Sequence, residues 1–257
     1  MQLVWFRILF TLAGLGIYFF FTGADLKVKK KDALILLVIG GVIALHWFLF
    51  YHAIKLSNVS VTLVAFSTGT LFTSIFEPLF YKRKPRIYEI VFGLVIILAI
   101  LLIMTLDAHY IAGMILGMLA ALTSSLFTVW NGLLVRRLGS APITFIELSG
   151  GFLFLSIFLF FSQTFEAAFF HLSIRDGLLL ILFSLVGTAF PFVASVDLLK
   201  RLSPFTVTLT VNLETVYGII FSFLLWPETE TMKGGFYLGT GLILMVIIVN
   251  AIVKSRL

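Results

Sequence analysis

No cysteine occurs among the 257 residues, which excludes disulfides and thiolate metal sites. Charge is scarce as well. Asp, Glu, Lys and Arg make up 12% of the chain, against roughly 25% in a soluble domain. The chain has no Walker-type loop, no His-Glu-x-x-His and no Gly-x-Ser-x-Gly nucleophile elbow, and it has no acidic cluster suited to a metal. Readings as an ATP-driven machine, a zinc enzyme or a serine hydrolase therefore have nothing to rest on. No cofactor, metal ligand or catalytic residue is expected.

What fills the space is apolar. Hydrophobic residues make up 61% of the chain, with 29 phenylalanines, and the mean hydropathy is +1.15. Nearly every stretch between charge clusters approaches the ~20 residues that cross a bilayer. About nine spanning helices are predicted, over 3–22, 33–54, 61–81, 87–106, 111–134, 143–164, 177–199, 205–226 and 235–253. The fold class is thus an all-α integral membrane protein with short connections. Pro85, Pro142, Pro204 and Pro227 fall near predicted helix ends, where proline is cheap. Pro78 and Pro191 fall inside helices, where neighbouring helices or water must satisfy the freed carbonyls.

The basic residues set an orientation. Alternate loops carry Lys27, Lys29, Lys30 and Lys31; Lys82, Arg83, Lys84 and Arg86; Arg136 and Arg137; Lys200 and Arg201; Lys254 and Arg256. The other loops hold only Lys55, Arg175 and Lys233, beside Asp107, Glu166, Glu228 and Glu230. The positive-inside rule places the first set, and the C-terminus, in the cytoplasm. The same distribution answers the pI of 9.6: the positive charge sits in membrane loops, and no nucleic-acid partner is expected.

One stretch is written twice, 146 positions apart. Ser57 recurs as Ser203, Val61-Thr62-Leu63 as Val207-Thr208-Leu209, Leu79 as Leu225, Gly93 as Gly239 and Ile97-Leu98 as Ile243-Leu244. Counted in predicted helices, the period is five. An odd period inverts the second copy relative to the first, as in alternating-access carriers. A five-plus-five inverted-repeat carrier fold follows, with half-repeats at 1–107 and 108–257. Two periods need ten helices, so a first helix of about 20 residues, starting in the cytoplasm, is expected before Met1, missing from this chain or never encoded. Trp5-Phe6-Arg7 against Phe145-Ile146-Glu147 fits the same frame.

The motif order also resembles the EamA-type carriers of the drug/metabolite transporter superfamily. The residues that carry the resemblance are Phe50 to Ser57 running into a helix, Phe76-Glu77-Pro78-Leu79-Phe80 and Gly93. In the second half they are Leu202 to Val207 and Asn212 to Gly218. The resemblance covers essentially the whole chain, from the family's second helix onward. It implies ten helices in two inverted halves and movement of small metabolites or drugs across the cytoplasmic membrane, often outward. One departure is Thr215 after Glu214, where the family often has proline in its ninth helix.

Ionisable and polar residues deep in a bilayer usually face a cavity or a partner. Glu214, nine positions past Phe205, lies about 13–14 Å along its helix, with Asn212 beside it and Tyr217 at i+3 on the same side. It reads as a titratable or substrate-contacting carboxylate, or as a neutral structural Glu. His46, about 20 Å into its helix and next to Trp47, could switch charge near neutral pH or donate to a carbonyl. Thr68, which aligns with Glu214, and Ser124 and Ser125 are candidate solute contacts and equally ordinary helix glue. Arg7 and Glu147 hold equivalent places in the two halves and are candidate opposed gates, or else a snorkelling Arg and an interfacial Glu. Glu77 is expected to pair with Lys82 at the cytoplasmic edge, and Asp197 with Lys200 or Arg201. Gly113-x-x-x-Gly117 and Gly235-x-x-x-Gly239 are close-packing signals.

The sequence thus reads as a secondary transporter, in the exporter direction, of small organic solutes across the cytoplasmic (inner) membrane. Its halves would rock about a cavity built from His46, Trp47, Thr68, Ser124, Ser125, Asn212, Glu214 and Tyr217. Protons are a candidate coupling ion, and both a monomer and a homodimer remain open. The rival readings are an integral-membrane enzyme acting on lipid or peptide, and an inactive truncated carrier.

Overall fold

The computed structural model describes residues 1–84, 86–106, 108–231 and 234–255, and every described segment of regular structure is helical. Pro85, Asp107, Lys233 and Arg256, which bear on helix ends and loop charge above, lie outside the described residues. Among the described residues seven spans are long and apolar enough to cross a membrane: Gln2–Thr22 (α1), Lys30–Leu56 (α2), Val59–Tyr81, Ile111–Leu134 (α6), Ser140–Phe161 (α7), Ile174–Leu198 and Pro204–Leu225. Two further helices, Ile87–Leu106 (α5) and Gly234–Ser255 (α13), contain shorter apolar stretches. Large apolar side chains such as Phe20, 83% exposed, and Ile174, 85% exposed, point outward, as lipid-facing surface requires. The chain is an all-α, multi-pass membrane protein.

Local chemistry sets several ends. Asn58 and Ser203 cap the helices that follow them, accepting from the Val61 N–H at 2.9 Å and the Thr206 N–H at 3.2 Å. These caps satisfy N–H groups that a helix start leaves orphaned. Gly23, at φ 62°, closes α1 in the left-handed conformation.

Two predicted spans are not continuous helices. The first runs as Val59–Phe66 (α3) and Gly69–Tyr81 (α4), and the second as Pro204–Val211 (α10) and Leu213–Leu225 (α11). The interruptions fall at Ser67–Thr68 and at Asn212, near-equivalent places in the repeat. Side-chain competition explains the first. Ser67 Oγ donates to the Val64 carbonyl at 2.6 Å and Thr68 Oγ1 to the Ala65 carbonyl at 2.7 Å. Such back-bonding draws the backbone out of the regular i−4 ladder. The Thr68 N–H bonds Ala65 O, and the Thr215 N–H bonds Asn212 O, both i−3 contacts of 3₁₀ type. A third span is Ile174–Ser184 (α8), a π turn at Leu185–Ala189 and Phe190–Leu198 (α9). The Phe190 N–H reaches Leu185 O, and Pro191, which has no N–H to give, sits just beyond. α4, in contrast, runs through Pro78 as one helix. A single turn, Pro227–Glu230 (α12), follows α11.

The chain divides into two compact units, residues 1–47 with 131–201, and residues 48–130 with 202–257. In the first unit α1 lies against α7, α8 and the π turn, and α7 against α9. α2 meets α7 through glycine. A Cβ at Gly40 would overlap the Glu147 carbonyl and lie 2.7 Å from Gly151 N, and one at Gly150 would lie 2.7 Å from Leu37 Cα. Trp5 anchors the start of α1, donating to Ser156 Oγ at 2.9 Å within a cluster of Phe152, Phe165, Phe169 and Phe170.

In the second unit α11 packs on α3, α10 on α4, and α13 along α5. Its core joins Val61, Val64, Ala65, Ile96, Met114, Leu209, Phe236 and Ile243. Gly113 meets Ser57, and Gly117 meets Ala65 and Thr62, so this glycine pair seats α6 within the unit.

Candidate functional site

The second unit is stitched at its two interruptions by polar side chains. Asn212 Nδ2 donates to the Ser67 carbonyl at 3.3 Å and to Thr70 Oγ1. Thr215 Oγ1 donates to the Leu63 carbonyl at 3.2 Å, and Ser125 Oγ to the Gly69 carbonyl at 2.8 Å. Thr73 and Thr208, one from each half of the sequence, meet hydroxyl to hydroxyl at 3.1 Å. Irregular backbone in a membrane must find such partners. Side chains of the second half supply them to carbonyls of the first, and Thr70 and Thr73 of the first half meet side chains of the second.

The same exchange occurs at the ends. Glu230 accepts from the Val59 and Ser60 N–H groups at 3.0 and 2.9 Å, so it caps α3. Glu77 accepts from the Phe205 N–H at 2.9 Å, so it caps α10. A carboxylate at a helix N-terminus meets both orphaned N–H groups and the positive end of the dipole. Glu77 also pairs with Arg83 at 3.2 Å. The partner is Arg83, where the sequence pointed to Lys82, because Lys82 adopts φ 53° to end α4.

The sequence-predicted residues of this unit fall into two groups. Thr68, Ser125 and Asn212 are buried within the network of bonds. Ser124 is half-buried, while Glu214 and Tyr217 are exposed on α11, Tyr217 at 60%.

The first unit gathers others. Arg7 of α1 lies against two rings, its guanidinium carbon 4.7 Å from the Trp47 centroid and 4.6 Å from that of Phe183. Its Nε donates to Thr188 Oγ1, in the π turn, at 2.6 Å. Cation–π contact with two rings and a hydrogen bond from Nε hold the side chain in one place. His46 is buried beside Trp47. Glu147 is 0% exposed and accepts from Asn131 Nδ2 at 3.1 Å. At the start of α2, Asp32 takes both arms of Arg137, with Nη2 to Oδ1 at 2.6 Å, and this bond holds the guanidinium above its ordinary pKa. Asp197 is paired with Lys200 and accepts from Ser140 at 2.9 Å. A recess of about 430 Å³ near the start of α1 is lined in part by Gln2, His171, Asp176 and Phe183. Among the described residues no three His, Asp or Glu side chains are placed to hold a metal ion.

The sequence profile of the EamA-like transporter family matches residues 1–105 and again 111–252. The chain belongs to the EamA-like transporter family. The double match covers nearly the whole chain, so it is a membrane transporter of the drug/metabolite transporter superfamily. Twenty-seven chains of solved structures also match. One crystal structure, at 13% identity, covers 99% of this chain and 88% of its own, with a TM-score of 0.70, which shows a shared fold. No curated protein matches by sequence.

Sequence reasoning passed over Asn131, Asp32 with Arg137, and the capping roles of Asn58 and Glu230. Asn131 had a signal: it is the one carboxamide of α6, and such groups in a span usually have a partner. Asn58 sits just before an apolar helix, a readable cap position. The Asp32–Arg137 pair joins residues 105 apart and left no local trace.

Proposed function

We propose that this member of the family is a secondary carrier that exports small organic metabolites or drugs across the cytoplasmic membrane by alternating access. The observation that carries the reading is the pair of interrupted helices, broken at near-equivalent points of an inverted repeat and stitched by each other's polar side chains. Interrupted helices near the membrane centre are where carriers of this kind build their sites. The exposed carboxyl of Glu214, directly after one interruption, supports it: an ionisable group at that depth is tolerated where water reaches it. That face of α11, with Tyr217, lines the solute path, and Thr68, Ser124, Ser125 and Asn212 shape the backbone beside it. In the first unit His46 and Trp47 are the solute contacts, and Arg7 and Glu147 are the gates. The boundary at 107/108 separates the two half-repeats. The driving force is the proton gradient or solute exchange. Monomer and homodimer both satisfy these features.

The excess of Lys and Arg on alternate loops supports a cytoplasmic C-terminus. In this cysteine-free chain, Thr164→Cys is expected to react with a membrane-impermeant thiol reagent on intact cells, and Lys84→Cys only after the cells are opened. The reverse pattern would invert the topology.

The residue assignments are tested by export of a labelled metabolite pool from cells. Glu214→Gln and His46→Ala are each expected to cut export by tenfold or more, about 1.4 kcal/mol in barrier terms, at equal membrane abundance. Export unchanged by both would remove these two residues from the site.

A further inference from the structure

We propose that Glu147 and Asn131 form a proton-binding site, in which a neutral Glu147 carboxyl donates through Oε1 to Asn131 Oδ1 while accepting from Asn131 Nδ2 through Oε2. Glu147 is the seventh residue beyond Ser140, the start of α7, about 10 Å along the helix, and is fully buried. One bond joins the two side chains, Nδ2 to Oε2 at 3.1 Å. The other oxygen of each, Glu147 Oε1 and Asn131 Oδ1, is buried with no hydrogen-bond partner.

Two acceptors without a donor, on two groups already joined, are resolved by a single hydrogen. One proton on Oε1 turns the pair into a cyclic acid–amide dimer in which every polar atom is used. An ionised Glu147 would have only a neutral amide for company, and an uncompensated buried charge is strongly disfavoured. Among the described residues no cation lies within ion-pair distance of Glu147. Charged groups on the helices packed around it are engaged elsewhere. On α1, Arg7 is held by Thr188, Trp47 and Phe183. On α2, Asp32 is held by Arg137, and His46 lies six residues beyond Gly40. On α9, Asp197 is held by Lys200 and Ser140.

The protonation balances simply: a hydronium ion gives its proton to Oε1, water is released, and the carboxylate charge of −1 becomes zero. On release, the buried charge requires water, and water can reach it only if the packing around it opens. That packing includes the glycine contact between α2 and α7, because the main chain of Glu147 itself lies against Gly40. Proton occupancy of this pair therefore favours the closed α2–α7 contact. As a coupling device it rests on the carrier reading; as a proton site it does not.

The test is infrared difference spectroscopy on the purified full chain in detergent, with no solute present, so its failure would leave the carrier reading untouched. At neutral pH the wild type is expected to show a protonated-carboxyl carbonyl band that Glu147→Gln removes and that Asn131→Leu shifts, since Oδ1 is then gone. Loss of an ionised-carboxylate band in Glu147→Gln would overturn the proposal. Should that variant not fold, Asn131→Leu decides alone: a protonated-carboxyl spectrum identical to the wild type would overturn it. Exchanging choline chloride for sodium chloride is expected to leave the band in place. Its conversion by sodium to a carboxylate band would assign the site to a metal cation and overturn the proton.

Discussion

Gly40→Leu is expected to leave no folded protein in the membrane. A Cβ at this position would overlap the main-chain carbonyl of Glu147 and approach Gly151 N at 2.7 Å. Backbone atoms of a neighbouring helix cannot swing aside as a side chain can, so α2 and α7 would have to separate along their length. Overpacking against side chains costs about 1–3 kcal/mol, and a displaced helix pair loses dispersion contact all along its seam as well. The controls are Gly41→Ala, whose Cβ meets only the Phe154 ring at 3.0–3.3 Å, and Gly16→Ala, with open space around it. Gly41→Ala should lower the midpoint of thermal unfolding in detergent slightly and Gly16→Ala not at all. Gly40→Leu should give no monodisperse peak on size exclusion. Wild-type behaviour from it would mean that α2 and α7 do not meet through glycine.

The second large effect belongs to Asn212. Asn212→Leu keeps the volume roughly constant but removes the donor to the Ser67 carbonyl and to Thr70. A buried carbonyl then has no partner, a loss of about 1–3 kcal/mol, toward the lower end because hydrogen bonds between membrane helices average about 0.6 kcal/mol. Stability alone would thus fall modestly. Transport should fall much further, because the same bond fixes one interrupted helix to the other. Asn212→Asp, isosteric but without the Nδ2 donor, should resemble Asn212→Leu in transport. A variant that loses stability but transports normally would show that the stitch is structural only.

How much of this was legible in the sequence depends on range. The apolar runs, the loop charges and the repeat at 146 are local or periodic, and they led to the membrane class and to the family. Interruption of the helices was harder to see. Ser67-Thr68-Gly69-Thr70 is a visible cluster of weak helix formers, yet Thr210 to Thr215 contains neither glycine nor proline, and the break at Asn212 depends on partners far along the chain. Asn131 with Glu147, and Arg7 with Thr188, are likewise products of packing between distant segments. Periodicity shows which face of a helix is apolar; it does not show which polar side chain lies opposite. For Arg7 and Glu147 the sequence identified the residues worth watching, and the structure supplied what they touch.

The most direct test of the central claim is solute efflux from sealed liposomes. The purified protein would be reconstituted into liposomes loaded with a labelled mixture of small metabolites, diluted, and the retained pool compared with protein-free and Asn212→Leu liposomes. The account predicts that at least one small organic solute leaves the wild-type liposomes faster than both controls and is recovered outside chemically unchanged. Equal retention in all three, or recovery of a solute only in converted form, would contradict it.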